Sequence, residues 1–414
     1  MIKLHKSSFD GEIIVEPSKS VMQRLLALAY LSDDTTEILN PSYCQDSVAL
    51  LNLIEQLGSP IIKNPRYITI YPVQSKEKNE LPISLNCNES ALCLRMMLPI
   101  LALSPNKFIL NGEKSLQNRK VFELDALQKL GASISSNENK VPIEIEGPIT
   151  NGQIKLKADA SSQLLTGLLI ALPKLAEKSE IIVEDLTSRP YIDLTLDLVN
   201  KFGGQVKNYN YAKFDIFPSK YKGGRCAVEG DWSTGAVYLA AGAIAGSCSV
   251  FGLNPTSKQG DKAIIDILTE IGAKIIINDQ FIEVKKNELK PFEFDAINTP
   301  DLIPVLAAIA ANCNGLSKII NVKKLKFKES DRLAMIYNNF KKMGISLAIE
   351  NDTLKIWGGK YSGGVFETSS DHRMVMCGAL LSLNSESEFV IENSESVAKS
   401  APSFWLNFNK GIHY

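Results

Sequence analysis

Apolar helical stretches rich in Ala and Leu recur along the chain, at intervals close to one sixth of its 414 residues. Each is followed by a short apolar run and then by a more polar helical stretch that ends at a glycine. The apolar stretches begin near Ser20, Ser90, Ser161, Trp232, Asp301 and Asp371, and the glycines are Gly58, Gly131, Gly203, Gly272, Gly344 and Gly411. This pattern predicts six copies of one supersecondary unit.

The third copy shows the predicted order of elements most clearly. Apolar runs at 154–158 and 180–185 predict strands, and each precedes a helical pattern. Two further strands follow at 205–209 and 213–219, which gives the order βαβαββ. The first helix of each copy is apolar on all sides and should be buried, whereas the second is amphipathic. The glycine after the second helix fits a left-handed C-cap.

The repeat also predicts how the chain divides into domains. Three copies are enough to fill one domain, and no linker rich in Pro, Gly or Ser interrupts the sequence. The boundaries that fit best lie at 15–17 and 227–230. We therefore expect copies one to three to form a domain of residues 17–228. Copies four to six, with the N-terminal strand, would form a second domain of residues 1–16 and 229–414.

Composition narrows the classes of protein that remain. The chain is 45% hydrophobic and 22% charged with a net charge of −1, which argues against a general nucleic-acid or anionic-membrane binder. Its seven cysteines are scattered without zinc-site spacing, as expected of buried thiols in a reducing compartment. The N-terminus has no signal pattern, and the longest apolar run is broken by Gly and Ser. We expect a cytoplasmic protein with neither nucleic-acid nor membrane partners.

Three segments concentrate charge at the starts of helical stretches. They are PSKSVMQR at 17–24, LKFKESDR at 325–332 and SSDHRM at 369–374. Free N–H groups make a helix start a natural anion site, and Lys and Arg strengthen it. Each segment alone is also compatible with a solvated helix start. Three together within a six-fold repeat, one of them opening an otherwise hydrophobic helix, indicate a site for phosphates and carboxylates.

These segments belong to an ordered set of motifs that resembles the enolpyruvyl transferase family over residues 1–414. The motifs are PSKS at 17–20, SSQ at 161–163, SRPY at 188–191, EGDWS at 229–233, QGD at 259–261, DLIP at 301–304, KESDR at 328–332, DHRM at 371–374 and AKSAP at 398–402. The resemblance implies an α/β (α+β) fold of the inside-out type. Its two similar domains each hold three βαβαββ units around buried parallel helices, and substrates bind between them.

Within this family, the motifs are closest to the branch that acts on shikimate-3-phosphate. The implied reaction adds the 5-hydroxyl of shikimate-3-phosphate to phosphoenolpyruvate and then eliminates phosphate, on the route to chorismate and the aromatic amino acids. The resemblance implies no metal or organic cofactor. We expect a monomer whose partners are these two small molecules.

The resemblance also assigns roles, position by position. Shikimate-3-phosphate is expected to meet Lys19, Ser20, Arg24, Ser161, Ser162, Gln163, Ser188, Tyr191, Asp301 and Lys328. Phosphoenolpyruvate is expected to meet Lys19, Ala91, Arg119, Gln163, Arg332, Arg373 and Lys399. Asp301 is the expected base, Glu329 the proton donor and Lys19 a second candidate donor, while His372 would orient its neighbours.

The sequence departs from the family pattern before the third predicted helix. Glu89, Ala91 and Leu92 replace the usual Asn, Gly and Thr, and Gln23, Lys120 and Lys324 are further departures. The inhibitor glyphosate occupies the phosphoenolpyruvate site in this family and is slightly longer than that substrate. Because the methyl group of Ala91 should crowd the longer molecule more, the sequence predicts natural glyphosate tolerance.

Other functions remain open at this stage. A UDP-N-acetylglucosamine enolpyruvyl transferase has the same fold but carries a catalytic Cys in a segment that reads NGEKSLQNRK here, without Cys. An RNA phosphate cyclase would need a nucleotide-linked His in a different context from that of His372. A non-catalytic paralogue that binds shikimate-3-phosphate is compatible with the unusual residues at 89–92.

Overall fold

The computed structural model describes residues 1–73 and 79–414. Contacts within the chain divide it into two compact units. The continuous unit is Pro17–Val228, and the two-segment unit combines Met1–Glu16 with Glu229–Tyr414. The chain opens with two strands of the two-segment unit, β1 (Ile2–Leu4) and β2 (Ser8–Ile14).

The continuous unit contains six helices and three four-stranded sheets among its described residues. The helices are α1 (Lys19–Leu31), α2 (Gln45–Gln56), α3 (Ala91–Leu101), α4 (Asp125–Lys129), α5 (Gln163–Ala171) and α6 (Arg189–Lys201). The strands are β3 (Thr36–Leu39), β4 (Ile61–Lys63), β5 (Tyr67–Ile70), β6 (Ile83–Asn86), β7 (Lys107–Asn111), β8 (Ser133–Asn137), β9 (Lys140–Glu146), β10 (Gln153–Lys157), β11 (Ser179–Glu184), β12 (Gln205–Tyr209), β13 (Lys213–Phe217) and β14 (Gly224–Ala227).

Each of these sheets has one parallel pair followed by antiparallel strands. The strand orders are β14-β3-β5-β4, β6-β7-β9-β8 and β10-β11-β13-β12. In the third copy the elements follow the predicted order, strand, helix, strand, helix and two strands. In the first copy the parallel partner of β3 is β14, which comes from the far end of the unit, with Gly224 opposite Thr36.

The two-segment unit has the same alternation of helices and mixed sheets, and its sheets include strands from both ends of the chain. Its helices are α7 (Trp232–Ala245), α8 (Ile264–Glu270), α9 (Ile303–Ala311), α10 (Arg332–Lys342), α11 (His372–Ser382) and α12 (Phe404–Gly411). Its remaining strands are β15 (Gly246–Phe251), β16 (Lys274–Ile277), β17 (Phe281–Lys285), β18 (Glu293–Asp295), β19 (Leu316–Ile320), β20 (Ser346–Glu350), β21 (Thr353–Trp357), β22 (Gly364–Phe366), β23 (Phe389–Ile391) and β24 (Ile412–His413). The sheet orders are β16-β17-β15-β2-β24, β18-β19-β21-β20 and β1-β23-β22.

The first helix of each copy lies in the interior of its unit. Every residue of α3, α9 and α11 is buried, including Arg95 in α3 and Arg373 in α11. Apolar side chains at most positions leave no polar face that would need water. Side chains cap four of these starts, because Ser18, Ser90, Asp231 and Asp371 accept hydrogen bonds from backbone N–H groups two or three residues further along the chain. Along the described ranges, 1–73 and 79–414, no helix is both long and apolar enough to cross a membrane.

The glycine that ends the second helix has the predicted left-handed conformation in five copies. The φ angles are 89° at Gly58, 104° at Gly131, 87° at Gly203, 97° at Gly272 and 80° at Gly344. The prediction is wrong for Gly411, which lies inside α12. There glycine serves close packing, because an added Cβ would lie 2.5 Å from Cζ of Phe9.

Replacing Gly167 by Ala is expected to destabilise the continuous unit by about 1–3 kcal/mol, as overpacking of a core does. Gly167 lies in α5, and an added Cβ would stand 2.4 Å from the carbonyl oxygen of Met96 in α3. Gly152→Ala is the matched control, since its nearest neighbour would be at an ordinary 3.6 Å. The measurement is the urea midpoint of each variant. Equal midpoints for the two would contradict this packing of α3 against α5.

Candidate active site

In the continuous unit, the start of α1 brings together residues predicted to bind anions. Lys19 Nζ lies 3.1 Å from Asp46 Oδ2 in α2, and both side chains are largely buried. The hydroxyl groups of Ser18 and Ser20 are 3.1 Å apart. Asp46 was not among the predicted site residues, and its only signal in the sequence was its place at the start of an amphipathic helix. Its carboxylate fixes the position of the Lys19 ammonium group at the N-terminus of α1.

Arg24, in the second turn of α1, connects this helix to α6 by hydrogen bonds. Its Nε donates to Thr195 Oγ1 at 2.8 Å, Nη1 to the Ser20 carbonyl at 2.8 Å and Nη2 to the Tyr191 carbonyl at 3.2 Å. These bonds use three of the five N–H groups of the guanidinium. Burial lowers the pKa of Arg24 to about 10, which still leaves it charged at neutral pH. The structure therefore groups Ser20, Arg24 and Tyr191 as predicted, through a Thr195 contact that the sequence did not indicate.

The starts of α3 and α5 meet through a buried arginine that was not among the predicted site residues. Arg95 Nη1 donates to Gln163 Oε1 at 2.9 Å, and Nη2 donates to the Lys120 carbonyl at 2.6 Å. Ser161 Oγ accepts from the backbone N–H of Gln163 at 3.3 Å, and Ser162 is the N-cap of α5. Arg95 thus holds Gln163 next to the peptide that follows Arg119.

Two more predicted residues lie at element ends of the continuous unit. Arg119 follows the 3₁₀ turn Lys114–Asn118 and is 9% exposed. Ser188 is the N-cap of α6 and has a left-handed backbone, with φ 57° and ψ 40°. Such a conformation is strained for a residue other than Gly, Asn or Asp, and strained positions concentrate at functional sites.

Four of the departures from the family pattern, Gln23, Glu89, Ala91 and Leu92, lie at or near the starts of α1 and α3. Ala91 is the first residue of the helix and is buried, directly after the capping Ser90. Gln23 Nε2 donates both to Ser90 Oγ at 2.9 Å and to the Asp46 carbonyl at 2.6 Å. Gln23 thereby ties three helix starts together, which fixes the place of the Ala91 methyl group.

In the two-segment unit, a buried arginine gathers three carboxylates. Arg332, at the start of α10, donates to Asp301 at 2.8 Å, to Glu329 at 2.6 Å and to Asp371 at 2.8 Å. Lys328 Nζ lies 3.1 Å from the same oxygen of Asp301. The arginine side chain is 1% exposed, so its charge is balanced entirely within the protein. The predicted base Asp301 and the predicted donor Glu329 thus share one guanidinium.

A second cation of this unit lies on the other side of Asp301. Arg373 Nη2 is 3.7 Å from Asp301 Oδ2 and donates to Ser233 Oγ at 3.2 Å, while Nη1 is 3.9 Å from Asp261 Oδ2. Lys399 ends the 3₁₀ turn Ser394–Lys399 and is buried. The role of Asp261 was not predicted, although it belongs to the QGD motif, because the sequence does not reveal which cation it meets.

The charges around Asp301 set its protonation state. Burial raises the pKa of this carboxyl, but the charges of Lys328, Arg373 and Arg332 outweigh burial and hold the pKa well below its usual value. Asp301 is therefore ionised at neutral pH. Burial raises the pKa of Asp261 to about 6, with Asp301 and Asp231 acting in the same direction.

The raised pKa of Asp261 leads to a prediction about the stability of the Asp261→Asn variant. Because the folded pKa of about 6 lies above the ordinary 3.8, the folded state binds the extra proton and stability falls as pH rises between these values. From pH 5 to pH 7.5, wild type should lose about 1.4 kcal/mol more than the variant, which has no titrating group at this position. Urea unfolding of both proteins at the two pH values measures the difference, and parallel pH profiles would contradict it.

Comparison with known proteins identifies the family to which this arrangement belongs. Residues 5–408 match the family model described as EPSP synthase (3-phosphoshikimate 1-carboxyvinyltransferase). A 3-phosphoshikimate 1-carboxyvinyltransferase of Clostridium novyi is 34% identical over 99% of this chain and 97% of its own length. That of Clostridium perfringens is 35% identical over 97% of this chain and 96% of its own. The chain belongs to the EPSP synthase family.

The solved structures agree on the fold. An EPSP synthase from Acinetobacter baumannii superposes with a TM-score of 0.82 and 23% sequence identity, over 99% of this chain and 98% of that one. The α/β fold class predicted from the repeats and motifs is therefore confirmed, as is the resemblance to the enolpyruvyl transferases. The chain is an enzyme of the shikimate route that transfers the enolpyruvyl group of phosphoenolpyruvate to shikimate-3-phosphate.

Proposed function

We propose that the chain performs this transfer at the 5-hydroxyl of shikimate-3-phosphate, by addition followed by elimination. The observation that carries the proposal is the cluster in which Lys328, Arg332 and Arg373 surround an ionised Asp301. Such a carboxylate is fitted to accept the proton of a substrate hydroxyl, and the cations are fitted to hold phosphate and carboxylate groups. The enzyme acts as a cytoplasmic monomer.

In the addition step, Asp301 removes the proton of the 5-hydroxyl, whose oxygen attacks the substituted vinyl carbon of phosphoenolpyruvate. The terminal CH₂ gains a proton from Glu329, with Lys19 as the second candidate, and becomes a methyl group. In the elimination step the group that gave the proton takes one back from the methyl group, the double bond re-forms, and inorganic phosphate leaves with the proton that Asp301 accepted. Atoms and charges balance without an oxidant, a metal or an organic cofactor.

Acceptor binding is proposed to fall mainly on the continuous unit. Ser161, Ser162, Gln163 and Ser188 hold the 3-phosphate at the helix starts. Ser20 and Arg24 hold the shikimate carboxylate and Tyr191 lines the ring, while Lys19, Asp301 and Lys328 meet the remaining groups. The two spare N–H groups of Arg24 fit a carboxylate, since three are used inside the protein.

Donor binding is proposed to use the residues that the resemblance assigns to phosphoenolpyruvate, which are Lys19, Ala91, Arg119, Gln163, Arg332, Arg373 and Lys399. Asp301, Glu329 and Asp371 already bond Arg332, so an arriving anion would compete with them for this guanidinium. An anion that displaced Asp301 from Arg332 would raise the pKa of the Asp301 carboxyl and make it a stronger base.

Solvent deuterium tests the addition–elimination route. In D₂O the terminal carbon acquires one deuteron in the intermediate and then loses either isotope from the methyl group. Product isolated at partial turnover should therefore carry deuterium in its vinyl group, measured by mass spectrometry. Product free of deuterium at the vinyl carbons would overturn the methyl intermediate.

Glyphosate inhibition gives a prediction specific to this chain. Ala91→Gly is expected to tighten glyphosate binding by about 10–200-fold, the range over which a pocket resolves one methyl-sized group, with a smaller effect on phosphoenolpyruvate. The measurement is an inhibition titration at fixed phosphoenolpyruvate. Ala102→Gly, at the other end of α3, is the matched control. Equal sensitivity of wild type and Ala91→Gly would show that the methyl group does not exclude the inhibitor.

A further inference from the structure

The unusual Glu89 has an ionic partner within the continuous unit. Its Oε1 lies 3.1 Å from Lys114 Nζ, and its Oε2 accepts a hydrogen bond from Ser115 Oγ at 2.9 Å. The Glu89 side chain is 19% exposed, whereas that of Lys114 is 74% exposed. The carboxylate is thus partly shielded from water and is held by two residues of one 3₁₀ turn.

The same two segments are tied together elsewhere. The Glu113 N–H donates to the Asn88 carbonyl at 2.7 Å, and Asn86 Nδ2 donates to Glu113 Oε1 at 2.6 Å. On the far side of Arg119, Arg95 donates to the Lys120 carbonyl. The backbone of the turn is therefore held without the Glu89–Lys114 pair, and loss of that pair changes charge more than shape.

We propose that Lys114 is a specificity-determining residue for phosphoenolpyruvate, because its ammonium group compensates the Glu89 carboxylate. This rests on the proposed placement of the donor beside Ala91 and Arg119. Glu89 stands two residues before Ala91, where a bare carboxylate would repel the phosphate and carboxylate of the donor. The Lys114 charge lets the chain carry Glu at this position and still bind an anion.

The test is a double-mutant cycle on the KM for phosphoenolpyruvate. Lys114→Met should raise this KM about 3- to 10-fold, the scale of losing one positive charge in a largely aqueous setting, with kcat kept. Glu89→Gln alone should not raise it, and Glu89→Gln in the Lys114→Met background should restore it to within about twofold. The Kd for shikimate-3-phosphate should stay constant throughout. Lys107→Met, which breaks the Lys107–Glu144 pair at the start of β7, is the control.

Each outcome decides the proposal. A wild-type KM in Lys114→Met would overturn charge compensation. An equal rise of KM in Lys114→Met and in the double variant would also overturn it, because it would show that the substitution changes the shape of the turn. A parallel fall in kcat and in shikimate-3-phosphate binding would also overturn it in favour of a purely structural turn. Failure of the proposed function is distinguishable, since wild type itself would then form no product from the two substrates.

Discussion

Asp301→Asn should lower turnover by about 10²–10⁴-fold, the usual range for loss of a general base. The amide keeps the size of the side chain but cannot accept the hydroxyl proton. Shikimate-3-phosphate should still bind, because the serines of α5 and Arg24 are unchanged. The measurements are kcat from steady-state phosphate release and the Kd of shikimate-3-phosphate by calorimetry.

Because Asp301 lies in a buried cluster of charges, the Asp301→Asn experiment needs a control for folding. Removing its charge leaves Lys328 and Arg373 without one of their carboxylate neighbours, which destabilises a buried cluster. Unfolding by urea therefore accompanies the kinetics, and Asp279→Asn in an exposed turn serves as the matched variant. Near wild-type turnover in a folded Asp301→Asn protein would remove Asp301 from the mechanism.

Glu329→Gln is expected to have a comparable effect, about 10²–10⁴-fold on turnover, by removing the proton donor. In the structure Glu329 Oε2 accepts a hydrogen bond from Arg332 Nη2 at 2.6 Å. A donor substrate that displaced Glu329 from this guanidinium would free its carboxyl group to carry the proton. The pH profile of kcat should therefore lose one ionisation in the variant.

The control for Glu329 is Glu350→Gln, which breaks an exposed pair with Lys355 and should leave kinetics unchanged. Deuterium transfer offers a second readout. Phosphoenolpyruvate incubated in D₂O with shikimate-3-phosphate should gain label more slowly in Glu329→Gln than in wild type. Labelling at the wild-type rate would assign the proton to another group, and Lys19→Met would then test the second candidate.

Much of the fold follows from local sequence, because the repeated signals are strong. Helices that are apolar on all sides are stable only in the interior of the protein. Five of the glycines after the second helices have backbone angles that only glycine adopts at low cost. Gly411 is the exception, since its requirement comes from Phe9 at the other end of the chain. Contacts so distant in sequence leave no local signature. The same holds for β14, which completes the sheet of the first copy.

The candidate site divides along the same line. The motifs predicted the cationic residues and the serines, because binding phosphate and carboxylate groups requires those residue types. The residues that position them were missed, since Asp46, Arg95 and Thr195 each act through a partner on another element. Glu89 was recognised as a departure whose carboxylate could repel an anionic inhibitor, but its ion pair with Lys114, 25 residues away in sequence, was not predicted. Pairing across elements is fixed by tertiary structure, not by local pattern.

The central claim, enolpyruvyl transfer from phosphoenolpyruvate to shikimate-3-phosphate, is tested most directly by a phosphate-release assay in which each substrate is omitted in turn. Phosphate should appear only when both are present, in equal amount to a product heavier than shikimate-3-phosphate by one enolpyruvyl group. UDP-N-acetylglucosamine should not replace the acceptor. Release with that sugar nucleotide alone as acceptor, or no release with both proper substrates, would contradict the account.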